Sequence, residues 1–257
     1  MEYFGFFMLG IVAGILSGLF GIGGGIVMVP SLILIFGMDI LDANATSLAA
    51  MLLPVGVLGV WAYYKAGLIN IKDSLWISLG LFIGSFGGGE FAVNISEGLL
   101  SKLYAAILMY VAISYFDIFS YFKKNKKQKP QRPVPDKFPV WSFILVGLAA
   151  GIFAGLFGKG GGLIIVPALI GIFRYDAKAA AATSLAALQL PVGLPSVMIY
   201  AQNGHLNVLS AAFIAFGILI GALIGSKFGV KLPSATFKKA YAVFLLAVAI
   251  YMVYKYV

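Results

Sequence analysis

The chain contains one unit twice in constant register, so its fold must be one that two copies of a single element can build. Residues 14–25 read GILSGLFGIGGG and residues 151–162 read GIFAGLFGKGGG, 137 positions apart. At the same offset, 46–56 (TSLAAMLLPVG) meets 183–193 (TSLAALQLPVG) with nine of eleven residues identical. Pro30 meets Pro167, Gly67 and Asn70 meet Gly204 and Asn207, and Lys102 meets Lys239. The match runs without a gap from about residue 9 to about residue 117.

Each copy is too apolar for a water-soluble core. Hydrophobic residues make up 61% of the 257 and charged ones 11%, with a mean hydropathy of +1.02; soluble domains sit near 45–50% apolar. A helix crosses a bilayer with about 20 apolar residues, and the chain supplies roughly eight to ten such segments. The expected class is an all-α polytopic membrane protein. With no cysteine and one histidine, neither a metal cluster nor a nucleophile-histidine-acid set is available. The glycine runs miss the spacing of a P-loop and of a dinucleotide fingerprint. An enzyme and a cofactor are not expected. The net charge of +9 reports loop topology and carries no aromatic-studded basic face, so no nucleic-acid partner is expected.

The expected organisation is a first repeat over 1–121, a basic linker over 122–138 and a second repeat over 139–257. In each repeat a first apolar run, 3–36 or 139–173, is too long for one crossing and is interrupted by glycines at a cost of about 1 kcal/mol per interior glycine. These runs read as broken helical hairpins. After the first break, 26–36 would make only about 16 Å of helix, too short to span, so a re-entrant hairpin is preferred over two crossings. Three spans follow in each repeat, over 45–64, 75–93 and 101–121, then 182–201, 209–228 and 239–256, with Pro54 and Pro191 kinking the first of each set.

Loop charges favour inversion of one repeat relative to the other. Loop 38–44 carries −2 against +1 for 174–181; loop 65–73 carries +1 against zero for 202–208; loop 90–102 carries −1 against +4 for 227–239. With the basic linker cytoplasmic, every pair differs in the direction that opposite faces require. The start Met1-Glu2-Tyr3 then lies outside, and it lacks the basic segment of a signal peptide. A multi-pass membrane protein is expected.

Two breaks meeting near the midplane at a repeat interface would form a transporter-like binding site for a small anion. Gly23, Gly24 and Gly25, with Gly160, Gly161 and Gly162, would present helix N-termini and their free N–H groups. Lys159 stands where the other repeat has Ile22, about twenty residues inside an apolar run. It is read as the partner of the anion, the alternative being a lysine that snorkels to water. Thr46, Ser47, Thr183 and Ser184 are read as either substrate contacts or caps and packing groups. Gln189 replaces Leu52 and is a polar addition to one repeat only. Glu90 is the candidate for proton coupling. His205 belongs to a solvated outside loop; Asn44, Tyr63 and Tyr200 are weaker candidates.

The doubled motif G-x-x-x-G-L-F-G-x-G-G-G-x-x-x-V-P-x-L, at 14–32 and 151–169 and followed in each half by A-T-S-L-A-A, resembles the TauE/SafE family over nearly the whole chain. The resemblance implies transport of a sulfur-containing anion, sulfite or an organosulfonate such as sulfoacetate, across a prokaryotic inner membrane, by ion or proton coupling. An anion channel, or a carrier of another small anion, would use the same broken hairpins, whereas a membrane scaffold would have no need of them. An apolar outer face on so small a transporter is compatible with a homodimer in the lipid bilayer.

Overall fold

The computed structural model describes residues 2–100 and 138–233, apart from 53, 55, 97, 159 and 160, together with 102, 103, 236 and 243. Among these it is helical throughout, with no strand. The first copy supplies α1 (Glu2–Phe20), α2 (Gly25–Ile35), α3 (Ile40–Ala50), α4 (Val57–Lys65) and α5 (Ile71–Asn94). The second supplies α6 (Val140–Phe157), α7 (Gly162–Gly171), α8 (Ala177–Ala187), α9 (Leu194–Gln202) and α10 (Val208–Lys231). Helices α1, α5, α6 and α10 are long and apolar enough to cross a membrane. The expected spans 101–121 and 239–256 and the linker lie outside the described residues, but for 102, 103, 138 and 243.

Local chemistry sets the helix ends. Gly21, Gly23 and Gly24 hold φ of 69°, 80° and 68°, and Gly158 holds 63°, a left-handed region that only glycine enters freely. Helix α1 therefore stops at Phe20 and α6 at Phe157. Asn70 and Asn207 cap α5 and α10, their side chains accepting from the amides of Asp73 and Ser210.

The expected kinks at Pro54 and Pro191 are complete breaks. Helices α3 and α8 end at Ala50 and Ala187, and α4 and α9 begin only at Val57 and Leu194. A proline lacks an N–H and its ring clashes with the carbonyl four residues back, and here the residues beside it unwind too. Helix α3 also begins earlier than expected, at Ile40 after Asp39, and α8 begins at Ala177 after Asp176, whose carboxylate accepts from the Lys178 amide.

The copies are joined by two equivalent helix pairs, α1 with α10 and α5 with α6. Glycines one turn apart line each contact. A Cβ at Gly10, Gly14 or Gly18 would lie 2.2–2.6 Å from the carbonyl oxygen of Ile214, Ile218 or Ala222. At Gly217, Gly221 or Gly225 it would lie 2.0–2.3 Å from the oxygen of Phe7, Ile11 or Ile15. The other pair repeats this, with Gly147, Gly151 and Gly155 against Ile77, Leu81 and Ser85, and Gly80, Gly84 and Gly88 against Ile144, Leu148 and Ile152. Residue numbers rise together on both partners, so each pair runs parallel. Backbones this close gain dispersion that lipid, as apolar as any leucine, cannot replace.

Polar side chains also join loops of the two copies at two points. His205 Nδ1 lies 2.8 Å from Asp42 Oδ1, and the Tyr175 hydroxyl donates to the Asp73 carboxylate. Burial, then the Asp73 carboxylate, pushes the Tyr175 phenol far above its usual range, so it stays protonated and remains the donor.

Candidate functional site

The glycine breaks of the two copies touch. A Cβ on Gly162 would fall 2.3 Å from Gly21 O and 2.5 Å from Ile22 Cα, so only glycine permits the approach. Each break also rests on a helix of the opposite copy, Gly21 on Ala181 of α8 and Gly158 on Asn44 of α3. The proline breaks approach as well: a Cβ on Gly56 would lie 2.5 Å from Gln189 Nε2. Four interruptions thus converge on one centre.

Helices α2 and α7 start at that centre from Gly24 and Gly161, without a side-chain cap. Their first-turn N–H groups carry the positive end of each helix dipole. Beside Gly161 lies a cavity of about 30 Å³ walled by Leu48, Met51, Leu81, Leu188 and Val192, among others, with Ser85 as its hydroxyl. That is room for a water or two.

The predicted residues divide clearly. Gly23, Gly24, Gly25, Gly161 and Gly162 are buried at the contact; Lys159 and Gly160 lie outside the described residues. Thr46, Ser47, Thr183 and Ser184 are all buried and lie within α3 and α8, several residues past the caps, so they do not cap these helices. Thr183 Oγ1 accepts from the Asn70 amide at 3.2 Å and the Ser184 hydroxyl donates to Gly21 O at 2.7 Å. Thr46 Oγ1 and Ser47 Oγ have no partner. Gln189 sits just past the end of α8, not within a span; its Nε2 donates to Leu185 O at 2.8 Å and its Oε1 is buried without a partner.

Glu90 is not brought to this centre. It is exposed on α5, one turn from the exposed Phe86, and its equivalent is Lys227. His205 is engaged with Asp42. Tyr63 and Tyr200 act alike: Tyr63 donates to Gly18 O or Leu19 O at 3.0 and 3.1 Å, and Tyr200 to Gly155 O at 2.8 Å. Each satisfies carbonyls that a broken helix leaves at its C-terminus. Asn44 Nδ2 donates to Leu156 O at 3.0 Å, while its Oδ1 is buried without a partner.

Sequence reading missed the serines that hold the break after α8. Ser78 Oγ lies 2.7 Å from Ala187 O, Ser85 Oγ lies 2.7 Å from Val192 O, and the Ser196 hydroxyl donates to Ser85 O. The equivalents are Ala215, Ala222 and Gly59, which carry no hydroxyl. Comparing the two copies position by position, as isolated Lys159 and Gln189, would have found them.

Known proteins bear on this arrangement. The model of the family described as "Sulfite exporter TauE/SafE" matches residues 6–252. The chain is 29% identical to a probable membrane transporter protein of Methanocaldococcus jannaschii over 88% of its own length and 84% of the relative's. It is 26% identical to the probable membrane transporter protein YunE of Bacillus subtilis over 96% of each chain. It is 28% identical to a probable membrane transporter protein of Haemophilus influenzae, over 96% of its own length and 97% of that relative's. No solved structure gives a significant match.

Proposed function

Because the chain belongs to the sulfite exporter TauE/SafE family of membrane transporters, we propose that it is a secondary transporter carrying a small sulfur-containing anion through the centre where its glycine breaks meet. The substrate is sulfite or an organosulfonate such as sulfoacetate. The observation that carries this reading is the contact of Gly162 with Gly21 and Ile22, beside two glycine-started helix N-termini. Such N-termini stabilise anions, and broken helices at a repeat interface are where secondary transporters bind their cargo. Lys159, at the same break, supplies the countercharge. Thr46 offers a hydroxyl donor, whereas Thr183 and Ser184 hold backbone groups in this state.

A cavity of about 30 Å³ is smaller than a four-heavy-atom oxyanion, so the conformation described is closed. Opening requires the breaks to part. The break after α8, held by Ser78 and Ser85, stays in place. The exposed position of Glu90 lends proton coupling through that residue no support.

The same proposal includes inverted repeats in an inner membrane, with the linker cytoplasmic. In parallel repeats, loop 38–44 would lie on the face opposite loop 202–208, and loop 65–73 opposite loop 175–181. The Asp42–His205 and Asp73–Tyr175 contacts join these very loops and so favour inversion. On this cysteine-free chain, Asp39→Cys and Asn203→Cys should label from one face and Arg174→Cys from the other, using an impermeant thiol reagent on intact cells. Parallel repeats would pair Arg174 with Asp39 instead.

The substrate test is thermal stability of the purified chain with sulfite, thiosulfate, sulfoacetate, sulfate and chloride at fixed pH. Selective, saturable stabilisation by one sulfur anion is expected, with uptake into liposomes of the same anion driven by an ion gradient. Equal effects of all five anions, with no flux of any sulfur anion, would sink the assignment.

A further inference from the structure

The buried oxygens left over at the centre suit a cation better than an anion. Asn44 Oδ1 can only accept a hydrogen bond, so it repels an oxyanion and attracts positive charge. It is fully buried, as is Ser47, one helical turn further along α3, and neither oxygen has a partner. Both lie on the side of α3 that meets the C-terminus of α6, where backbone carbonyls give the negative end of the helix dipole. Gly158 seats there, its Cβ position 2.3 Å from Asn44 Cα and 2.7 Å from Asn44 Oδ1.

The internal duplication supplies a control within the same molecule. Gly21 seats on Ala181 as Gly158 seats on Asn44, with its Cβ position 2.7 Å from Ala181 Cα. At that seat the Ser184 hydroxyl bonds Gly21 O at 2.7 Å and Tyr63 bonds Gly18 O and Leu19 O. Both hydroxyls there are engaged. At the other seat Tyr200 bonds Gly155 O and Asn44 Nδ2 bonds Leu156 O, but Ser47 makes no equivalent bond, and an amide oxygen stands in the first copy where the second has the methyl of Ala181. One end is closed and its twin is furnished with spare oxygens.

We infer that Asn44 Oδ1 and Ser47 Oγ, at the negative end of the α6 dipole, form a binding site for a monovalent alkali cation, sodium, which is the coupling ion of the transport proposed above. Neutral amide and hydroxyl oxygens are hard ligands, and the absence of a carboxylate between them argues against a divalent ion. Half-helix C-termini and unwound carbonyls hold the coupling cations of other secondary transporters. A cation here lies at the end of α6 while the anion lies at the start of α7, so both ions bear on the same break.

The test uses the full chain in detergent, titrated with sodium chloride against choline chloride at constant ionic strength and pH. Sodium should raise the unfolding temperature saturably, by about 5–10 °C at a hundredfold excess over Kd. Asn44→Ala should abolish that shift. Ser47→Ala should weaken it and serves if Asn44→Ala does not fold. Choline and sodium acting alike, or a full sodium shift in both alanine variants, would overturn the site. So would a sodium shift that arises only in Lys159→Met, since the oxygens would then serve the lysine ammonium. The site rests on the transport reading only for its role as a coupling site: sodium stabilisation without any sulfur-anion effect keeps the site and defeats the substrate, whereas anion stabilisation indifferent to sodium does the reverse.

Discussion

Alanine at Gly84 should prevent accumulation of folded protein, while alanine at Gly87, three residues along the same helix, should be tolerated. At Gly84 the new methyl falls 2.2 Å from Leu148 O and 2.9 Å from Ile152 N, both backbone atoms of α6. No rotamer relieves that clash, so α5 and α6 must part and lose contacts along their whole length. The expected cost is about 3 kcal/mol or more, at or above the upper end for overpacking, a large share of the 5–15 kcal/mol typical of folded chains. At Gly87 nothing lies within 4 Å, and removing a glycine from a helix interior is worth up to about 1 kcal/mol in stability. Monodisperse yield on size exclusion and the unfolding temperature measure both. Equal behaviour of the two variants would mean that the glycine contacts do not hold the copies together.

Lys159→Met should weaken binding of the sulfur anion by on the order of 100-fold, about 2.7 kcal/mol, within the 2–5 kcal/mol seen when one partner of a buried charge pair is truncated. Methionine keeps the length of the chain and discards the charge, and the first copy tolerates the apolar Ile22 at the equivalent position. Folding should therefore survive. Calorimetry with the anion that stabilises the wild type decides: unchanged affinity in a folded variant would remove Lys159 from the site and leave the helix N-termini to bind alone.

Much of this protein was legible in one dimension because its duplication exposes what each copy changes. The glycine runs at 21–25 and 158–162 break the helices where expected, since the positive φ of Gly21, Gly23, Gly24 and Gly158 has no helical continuation. Gln189 and Lys159 stood out as polar residues facing Leu52 and Ile22 across the offset. The G-x-x-x-G spacing of 10, 14 and 18 was equally visible and went unread as a packing surface, because the same glycines overlap the motif that ends in the break.

What sequence determined is therefore local or periodic: apolar runs long enough to span, glycines that stop helices, a repeat with a fixed offset and loop charges that reverse with it. Pairing lay beyond it. Only the tertiary structure decided that α1 lies along α10 and α5 along α6, each copy embracing the other, because that choice depends on backbone approaching backbone at contacts where glycine leaves no side chain to signal a partner. It likewise decided that Thr183 and Ser184 hold backbone groups while Thr46 and Ser47 keep spare oxygens. Identical residues in identical local sequence receive different partners, because hydrogen bonds across 100 or more positions are set by which helix end arrives opposite them.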